Sequence, residues 1–312
     1  QGINRDRQQL LQSGFFSSVS MPIVQQKINP SGLDMTYVVK EKSKNSFDIG
    51  LEQLRYEDGL AIFSAYQRRH FIIYSDLFKI STQFRLGNEI AARRYSALYQ
   101  QPWLLNKYNV HSTLQVWNDY RKEPLSGQSA SIENIRTGGN GKLRFSVLFP
   151  ELSMGLGARI ERVAPFNNGE FRPYNIHSFQ GQLSWDSRND ISNPDTGALF
   201  SIAAEVGGDY SWVDLGGLDF YRYMLQANRF FALGPKTVLA LRGVYGVFER
   251  SQDINTFESE AFYLGGANSL RGYSDLQFNG NYRLSSSLEI RQQIRSDWIA
   301  VLFLDAGQVA EN

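Results

Sequence analysis

Residues 282–295, which read YRLSSSLEIRQQIR, decide the fold. The even positions carry mostly apolar side chains such as Leu284, Leu288 and Ile290, whereas the odd positions carry polar or charged ones. Successive side chains of a β-strand point to opposite faces of a sheet, so a period of two predicts a strand with one apolar and one wet face. Long strands of this kind are typical of a transmembrane β-barrel wall.

The same alternation recurs along most of the chain, and no convincing helix interrupts it after residue 45. We predict an antiparallel meander of about thirteen strands over residues 46–56, 59–71, 76–88, 91–101, 107–121, 128–148, 154–164, 176–188, 197–207, 219–232, 237–249, 280–295 and 298–309. The predicted fold class is therefore all-β, a transmembrane antiparallel barrel over residues 46–312.

A soluble β-sandwich or a soluble barrel is the alternative, because its strands also alternate. Its inward face would be apolar, however, and small sandwiches use strands of about five or six residues. Here one strand carries Arg283, Glu289, Arg291 and Arg295 on a single face, which suits a hydrated lumen. We therefore favour the membrane barrel.

Composition excludes several classes of protein. The net charge of +1 over 312 residues leaves no basic stripe for nucleic acid, and the absence of cysteine excludes disulfides and thiol catalysis. No apolar run approaches the roughly 18 residues that a membrane-spanning helix needs. Aromatic residues at 13% and the 27 glycines fit the interfacial girdles and tight turns of a barrel.

Residues 1–45 have a different pattern. A helix is predicted over residues 4–13, a strand through Val19, Met21 and Ile23, a turn at 29–32 and a second strand at 33–39. Such a short α+β segment buries little core alone, which suggests half of a small module. The chain begins at Gln1 without a methionine, so we expect a processed or trimmed piece of an exported protein.

Gly265 and Gly266, followed by Leu270-Arg271-Gly272-Tyr273, carry a family resemblance. They resemble the Val/Leu-Arg-Gly-Phe/Tyr tip of the lumenal lid loop in the outer-membrane assembly and secretion superfamily. Its members include BamA-like and TamA-like assembly factors, two-partner secretion transporters and patatin-fused type V autotransporters.

Two further stretches carry the same resemblance. Phe303, Asp305 and Gly307 look like the family's Phe-x-Asp-x-Gly strand motif, and residues 185–197 are similar to its strand–turn–strand element. The turn element's matching residues are Asp186, Arg188, Pro194 and Gly197. The resemblance also implies that residues 1–45 end a polypeptide-transport-associated (POTRA) module. It implies a sixteen-stranded barrel, whose closing strands would lie beyond the sequence given.

Within residues 298–305 the odd positions contain the charge, so Asp305 and Phe303 should face the lumen. Glycine lets the tip of loop 265–280 turn sharply and approach the wall. We predict that Arg271 pairs with Asp305 and pins the loop inside the barrel, with Tyr273 near Phe303. The alternative is an Arg271 solvated in a surface loop.

Catalytic and metal motifs are not found. His70, His111 and His177 lie far apart without metal-ligand spacing, and there is no Gly-x-Ser-x-Gly elbow. The glycine-rich run 138–142 lacks the Ser or Thr of a phosphate loop, and we predict a turn or kink that could divide the strand at 128–148. We expect no enzyme activity in this chain, no metal and no cofactor.

The resemblance implies a barrel of the bacterial outer membrane that inserts or secretes polypeptides. Its expected partners are outer-membrane lipids, unfolded client polypeptides or its own passenger domain, and accessory subunits. The alternative is an autotransporter that secretes or anchors its own upstream patatin-like lipase. A plain diffusion pore would leave the lumen open.

Overall fold

The computed structural model of the chain describes residues 7, 10–11, 13–26, 33–53, 60–85, 93–104, 110–124, 131–166, 173–210, 213–250, 260–274, 277–295 and 297–311. Its strands are β1 (Phe16–Val19), β2 (Ile23–Gln26), β3 (Leu33–Thr36), β4 (Val39–Glu41), β5 (Asn45–Gln53), β6 (Leu60–Arg69), β7 (Leu77–Arg85), β8 (Arg93–Gln101), β9 (Val110–Pro124), β10 (Ser131–Val147), β11 (Phe149–Phe166), β12 (Tyr174–Asp186), β13 (Gly197–Gly207), β14 (Asp209–Tyr210), β15 (Val213–Asp214), β16 (Phe220–Gly234), β17 (Thr237–Arg250), β18 (Phe262–Leu264), β19 (Phe278–Gly280), β20 (Tyr282–Arg295) and β21 (Trp298–Ala310). Among these residues no helix has the length and apolar character needed to cross a membrane.

Thirteen strands form one antiparallel sheet, as the alternation predicts. The order is β5-β6-β7-β8-β9-β10-β11-β12-β13-β16-β17-β20-β21, so each strand pairs with its neighbour in this series. Within the described residues, β5 and β21 each pair on one side only. The all-β barrel wall predicted from the sequence is therefore confirmed.

The β10–β11 hairpin differs most clearly from the prediction. Gly138 and Gly139 lie inside an unbroken β10, because Gly138 allows β11 to approach closely: a Cβ there would lie 2.8 Å from the Cα of Glu161. Strand β11 begins at Phe149, five residues earlier than predicted. Leu148 makes the β10–β11 turn with a φ of 63°. This left-handed conformation is uncommon for leucine, so the sequence does not predict it.

The pleat separates an apolar outer face from a polar inner face. On β21 the outward Leu302 and Leu304 are 72% and 70% exposed, as expected for the outer face of a membrane barrel. Ser287 of β20 pairs with Asp305 of β21, and paired residues share a face, so these polar side chains line the lumen. Partition between lipid and water therefore fixes the register of the wall.

The N-terminal segment forms two small sheets, β1 with β4 and β2 with β3. The predicted single strand through Val19 and Ile23 is wrong, because the chain leaves the strand conformation between β1 and β2. Arg7, Leu10 and Leu11 are helical, as the pattern predicts. The predicted turn at 29–32 lies outside the described residues.

Arg69, the last residue of β6, joins this segment to the barrel. Its Nε donates to the carbonyl of Gly14 at 2.9 Å and one terminal nitrogen donates to that of Ser43 at 2.6 Å. Phe15 is buried against His70, with ring centres 5.5 Å apart. The N-terminal segment therefore marks one end of the barrel, at the β6–β7 turn.

An apolar cluster lies at the opposite end, where β10–β13, β16 and β17 approach their connecting loops. It consists of Val163, Ile176, Leu218, Phe220, Phe248 and Phe262. Phe262 belongs to the connection between β17 and β20, so part of that connection lies inside the lumen. This connection carries the candidate site.

Candidate lumenal loop site

The β17–β20 connection folds inward on its own short stem. Strands β18 and β19 pair with each other and contact β20 and β21. The stem holds the turn 265–274 against the lumenal face of the wall. This turn contains the segment that the sequence predicts as the loop tip.

Glycine conformations shape this turn. Gly265, Gly266 and Gly272 have φ values of 121°, 82° and 91°, a region that other residues rarely adopt. The Ser269 hydroxyl donates to the Gly265 carbonyl at 2.7 Å, and the Gly266 N–H donates to the Tyr273 carbonyl at 3.1 Å. The turn is therefore closed by its own hydrogen bonds and projects Arg271 outward to the wall.

Arg271 makes a bidentate ion pair with Asp305, as the sequence predicts. Its Nε donates to Oδ2 at 2.7 Å, one terminal nitrogen donates to Oδ1 at 2.6 Å, and its backbone N–H donates to Oδ2 at 3.0 Å. The Asp305 side chain is only 4% exposed. Two parallel charge-assisted bonds fix the direction of the guanidinium as well as its position.

The neighbouring strand completes the Arg271 site. A terminal nitrogen of Arg271 donates to Glu289 at 2.7 Å and another donates to the Ser287 hydroxyl at 2.8 Å. The Asp305 and Glu289 carboxylates hold the pKa of Arg271 above its ordinary value, so the tip stays charged. The sequence predicts Glu289 on the lumenal face but not its contact with Arg271. The register that pairs Ser287 with Asp305 places Glu289 near Asp305, and this pairing could have indicated the contact.

The aromatic contacts differ from the prediction. The Arg271 guanidinium lies 3.6 Å from the ring centre of Phe303, which gives a cation–π contact. Tyr273 packs edge-on against Phe278 instead, with ring centres 5.3 Å apart, and it is half exposed. Phe303 therefore supports the arginine rather than the tyrosine.

Gly307 permits the close approach of the loop to β21. A Cβ at this position would lie 2.9 Å from Cδ1 of Leu264 and 3.4 Å from Cδ1 of Leu270. Both leucines are buried in the loop. In the Phe-x-Asp-x-Gly motif, the Phe303 ring and the Asp305 carboxylate therefore bind the Arg271 guanidinium. The absence of a side chain at Gly307 leaves room for Leu264 and Leu270.

A cavity of about 340 Å³ adjoins the loop tip. Polar side chains dominate its wall, among them Asn228, Arg242, Arg271, Ser285 and Glu289. The lumen beside the tip is therefore lined by groups that can bind water.

The strand–turn–strand motif is a separate site. Arg188 donates to both oxygens of Asp186, at 2.9 and 2.7 Å, in the turn between β12 and β13. Gly197 has a φ of 97° and abuts the Ser187 carbonyl, and Pro194 is buried. Because β16 and β17 lie between this turn and β20, the structure does not bring it to Arg271.

The part of the chain that the structure describes contains no candidate metal site. No group of three His, Asp or Glu residues there is placed to hold a metal ion. His177 Nδ1 is 2.6 Å from the carbonyl of Leu215, and His70 stacks on Tyr74.

Comparison with known proteins gives a consistent family. Residues 78–312 match the Omp85 superfamily domain. The chain is 27% identical, over 289 residues, to the sorting and assembly machinery component 50 homolog of Mus musculus, which covers 86% of this chain. It spans 56% of the length of that curated relative.

Solved structures with the same fold share little sequence with the chain. BamA from Haemophilus ducreyi, in a form lacking POTRA domains 1–3, superposes with a TM-score of 0.67 at 15% identity, covering 99% of this chain and 66% of that one. CdiB from Escherichia coli superposes with a TM-score of 0.64 at 15% identity, covering 93% and 56%. These matches support the barrel architecture.

Proposed function

Because the chain belongs to the Omp85 superfamily, we propose that it inserts or translocates other polypeptides at an outer membrane. The family consists of transport barrels rather than enzymes, and a polar lumen with an internal loop fits that role. The observation that carries the proposal is the loop tip fixed to the lumenal wall by Arg271. A loop fixed inside the lumen narrows the passage that a plain diffusion pore would leave open.

The proposed route uses the edge of the sheet. Strand β5 pairs only with β6 in the described residues, so its other side presents backbone N–H and C=O groups. An incoming client strand can satisfy these groups by β-strand addition. Phe47, Ile49 and Leu51 alternate on the exposed apolar face of β5, and a client strand added here would continue the lipid-facing surface.

Loop 265–280 acts in this proposal as a lid that holds the lumen in shape. Asp305 and Glu289 belong to two adjacent strands, and the Arg271 guanidinium bridges them. An opening of the sheet edge could then occur without collapse of the β20–β21 wall. The lid also keeps the lumen from becoming a free channel.

The N-terminal segment is proposed to be the end of a POTRA module that meets clients before the barrel does. Strand β3 pairs only with β2 within the described residues and so offers an edge for strand addition. Arg69 and Phe15 attach the segment beside β5, close to the proposed entry site. Unfolded polypeptides, membrane lipids and accessory subunits are the proposed partners.

The autotransporter alternative finds no support among the matched relatives, so insertion or translocation of separate clients is the function proposed. The proposed location is the bacterial outer membrane. Since one matched relative comes from a mouse, membrane fractionation of the source cells is the direct test of location.

The function can be tested with the full-length protein in liposomes of outer-membrane lipid. A urea-denatured β-barrel client is added, and its insertion is followed by heat-modifiable gel migration and protease resistance. We expect faster insertion than in empty liposomes, together with small, flickering conductance. Insertion at the empty-liposome rate with large, steady conductance would instead establish a diffusion pore.

A further inference from the structure

The base of the loop carries a second charged site, which the sequence analysis did not detect. It contains three arginines and three glutamates, and we call it the Glu260 cluster. Its members are Arg136 of β10, Arg159 and Glu161 of β11, Glu205 of β13, Arg222 of β16 and Glu260 of the loop. Only Glu260 comes from outside the barrel wall.

Glu260 accepts hydrogen bonds from all three arginines. Arg136 donates to Oε1 at 2.8 Å, Arg159 donates to both carboxylate oxygens at 3.2 Å, and Arg222 donates to Oε2 at 3.1 Å. Arg222 also donates to the backbone carbonyl of Glu260. The Glu260 residue is only 3% exposed, so these bonds replace its contact with water.

The wall carboxylates balance the charge of the remaining arginine groups. Glu161 contacts both Arg136 and Arg159 and accepts from the Trp117 indole N–H at 2.9 Å. Glu205 accepts from Arg159 at 3.4 Å and from Arg222 at 3.5 Å. Three positive and three negative groups therefore neutralise one another only when the loop supplies Glu260.

Aromatic rings cover the cluster on the loop side. The Arg222 guanidinium lies 5.2 Å from the ring centre of Phe248 and 5.8 Å from that of Phe262. Phe262 follows Glu260 by two residues and belongs to the apolar cluster at this end of the barrel. The loop thus contributes both the balancing charge and part of the apolar cover.

The two charged sites hold opposite ends of the same segment. Arg271 is fixed to β20 and β21, whereas Glu260 is fixed to β10, β11 and β16. Four strands separate β11 from β20 around the sheet, and one strand separates β16 from β20. The segment 260–271 therefore runs across the lumen from one wall to another. A loop held at one point could pivot, but a loop held at both cannot.

We propose that Glu260 is a positioning residue that ties the base of the loop to the far wall, so that residues 260–271 act as a strap across the lumen. The strap itself is argued from these contacts, and only its role during client insertion rests on the proposed function. Burial by itself would raise the pKa of Glu260, but Arg159, Arg136 and Arg222 hold that pKa well below its usual range. Glu260 is therefore ionised at neutral pH, and the tie keeps its negative charge.

The strap can be measured directly, because the chain contains no cysteine. Cysteines at Lys142 on β10, which is exposed, and at Ala261 in the loop, which is half-buried next to Glu260, accept spin labels for distance measurement in the full-length protein in lipid. Glu260→Gln keeps the size of the side chain and removes its charge. Glu249→Gln, an exposed carboxylate at the end of β17, is the matched control.

We expect Glu260→Gln to raise the population outside the native distance peak about tenfold, since bonds between two charged groups become bonds between a charged guanidinium and a neutral amide. Glu249→Gln should leave the peak unchanged. An unchanged peak in a folded Glu260→Gln protein would overturn the proposal. If that variant does not fold, Glu260→Asp keeps the charge but shortens the reach, and an unchanged peak there would overturn it equally.

The client insertion assay separates this proposal from the proposed function. A broadened distance distribution with normal insertion would support the strap and refute its role in insertion. Lost insertion with an unchanged distribution would refute the strap, since the effect of Glu260 would then act by another route.

Discussion

Replacing Arg271 with alanine removes the cation that joins the loop tip to β20 and β21. The guanidinium makes four side-chain hydrogen bonds, to Asp305, Glu289 and Ser287, and lies on the ring of Phe303. Without it two carboxylates face each other across the strand pair with no cation from the loop. The loop should therefore leave the wall more often.

The size of the effect follows from the burial of the pair. Removing one partner of a buried ion pair costs about 3–5 kcal/mol. The Arg271 side chain is 22% exposed, so solvent screening reduces this to about 2–4 kcal/mol. With 1.4 kcal/mol for each factor of ten, the detached population should rise about 30- to 700-fold.

The labelling rate of a buried thiol in the loop measures that population. Leu270 is 6% exposed, so Leu270→Cys reacts with a maleimide mainly when the loop detaches. The rate is compared between the Arg271 and Arg271→Ala backgrounds, which cancels the effect of the cysteine itself. Arg144→Ala, a lumenal arginine outside both charged sites, is the control.

A rate ratio below about threefold would correspond to less than ~0.7 kcal/mol and would refute the pinning role of Arg271. An increase of about 30- to 700-fold in the Arg144→Ala control as well would show a general loosening of the barrel. Heat-modifiable gel migration establishes that each variant is folded.

Three further predictions concern the wall and its turns. Gly307→Val should displace Leu264 and Leu270 at a cost of about 1–3 kcal/mol, which faster thiol labelling of the loop would report. Gly197→Ala, at a φ of 97° and with its Cβ against the Ser187 carbonyl, should lower the free energy of unfolding by about 1–3 kcal/mol in urea titrations, while an unchanged midpoint would contradict this. Asp76 lies in the β6–β7 turn; burial would raise its pKa, but three backbone N–H groups and a tyrosine hydroxyl lower it overall. Its stabilisation is therefore complete above the unfolded pKa of about 3.9 and is lost as the pH falls through the folded pKa. Asp76→Asn should therefore lower the free energy of unfolding at pH 7 and by progressively less as the pH falls below about 3.9, which urea titrations at each pH measure.

The wall could be predicted from the sequence because lipid and water impose one rule on every strand. In residues 282–295 a charged side chain on the outer face would be placed in lipid, so the alternation is nearly complete there. The turns obey no such rule. Leu148 adopts a positive φ without a glycine or asparagine, so the start of β11 was placed too late.

The loop site was predicted only in part, for a related reason. The pair Arg271 and Asp305 could be found because each lies in a short motif. Glu260 and Arg136 are 124 residues apart, and neither belongs to a local pattern that distinguishes it from a solvated charge. Only the curvature of the sheet, which the alternation does not specify, brings these two side chains together.

The two ends of the strap differ in a way that bears on how the barrel could move. At the tip, Arg271 is the single loop side chain bonded to β20 and β21 among the charged groups described, and its side chain is 22% exposed. At the base, Glu260 is 3% exposed and is held by three arginines from three strands. Because the tip has the smaller number of ion pairs and the greater access to water, a displacement of the β20–β21 wall should break the Arg271 contacts first, while Glu260 stays in place. The strap would then remain attached to the far wall and could return to the same site, which makes the tip a reversible latch and the base its permanent attachment.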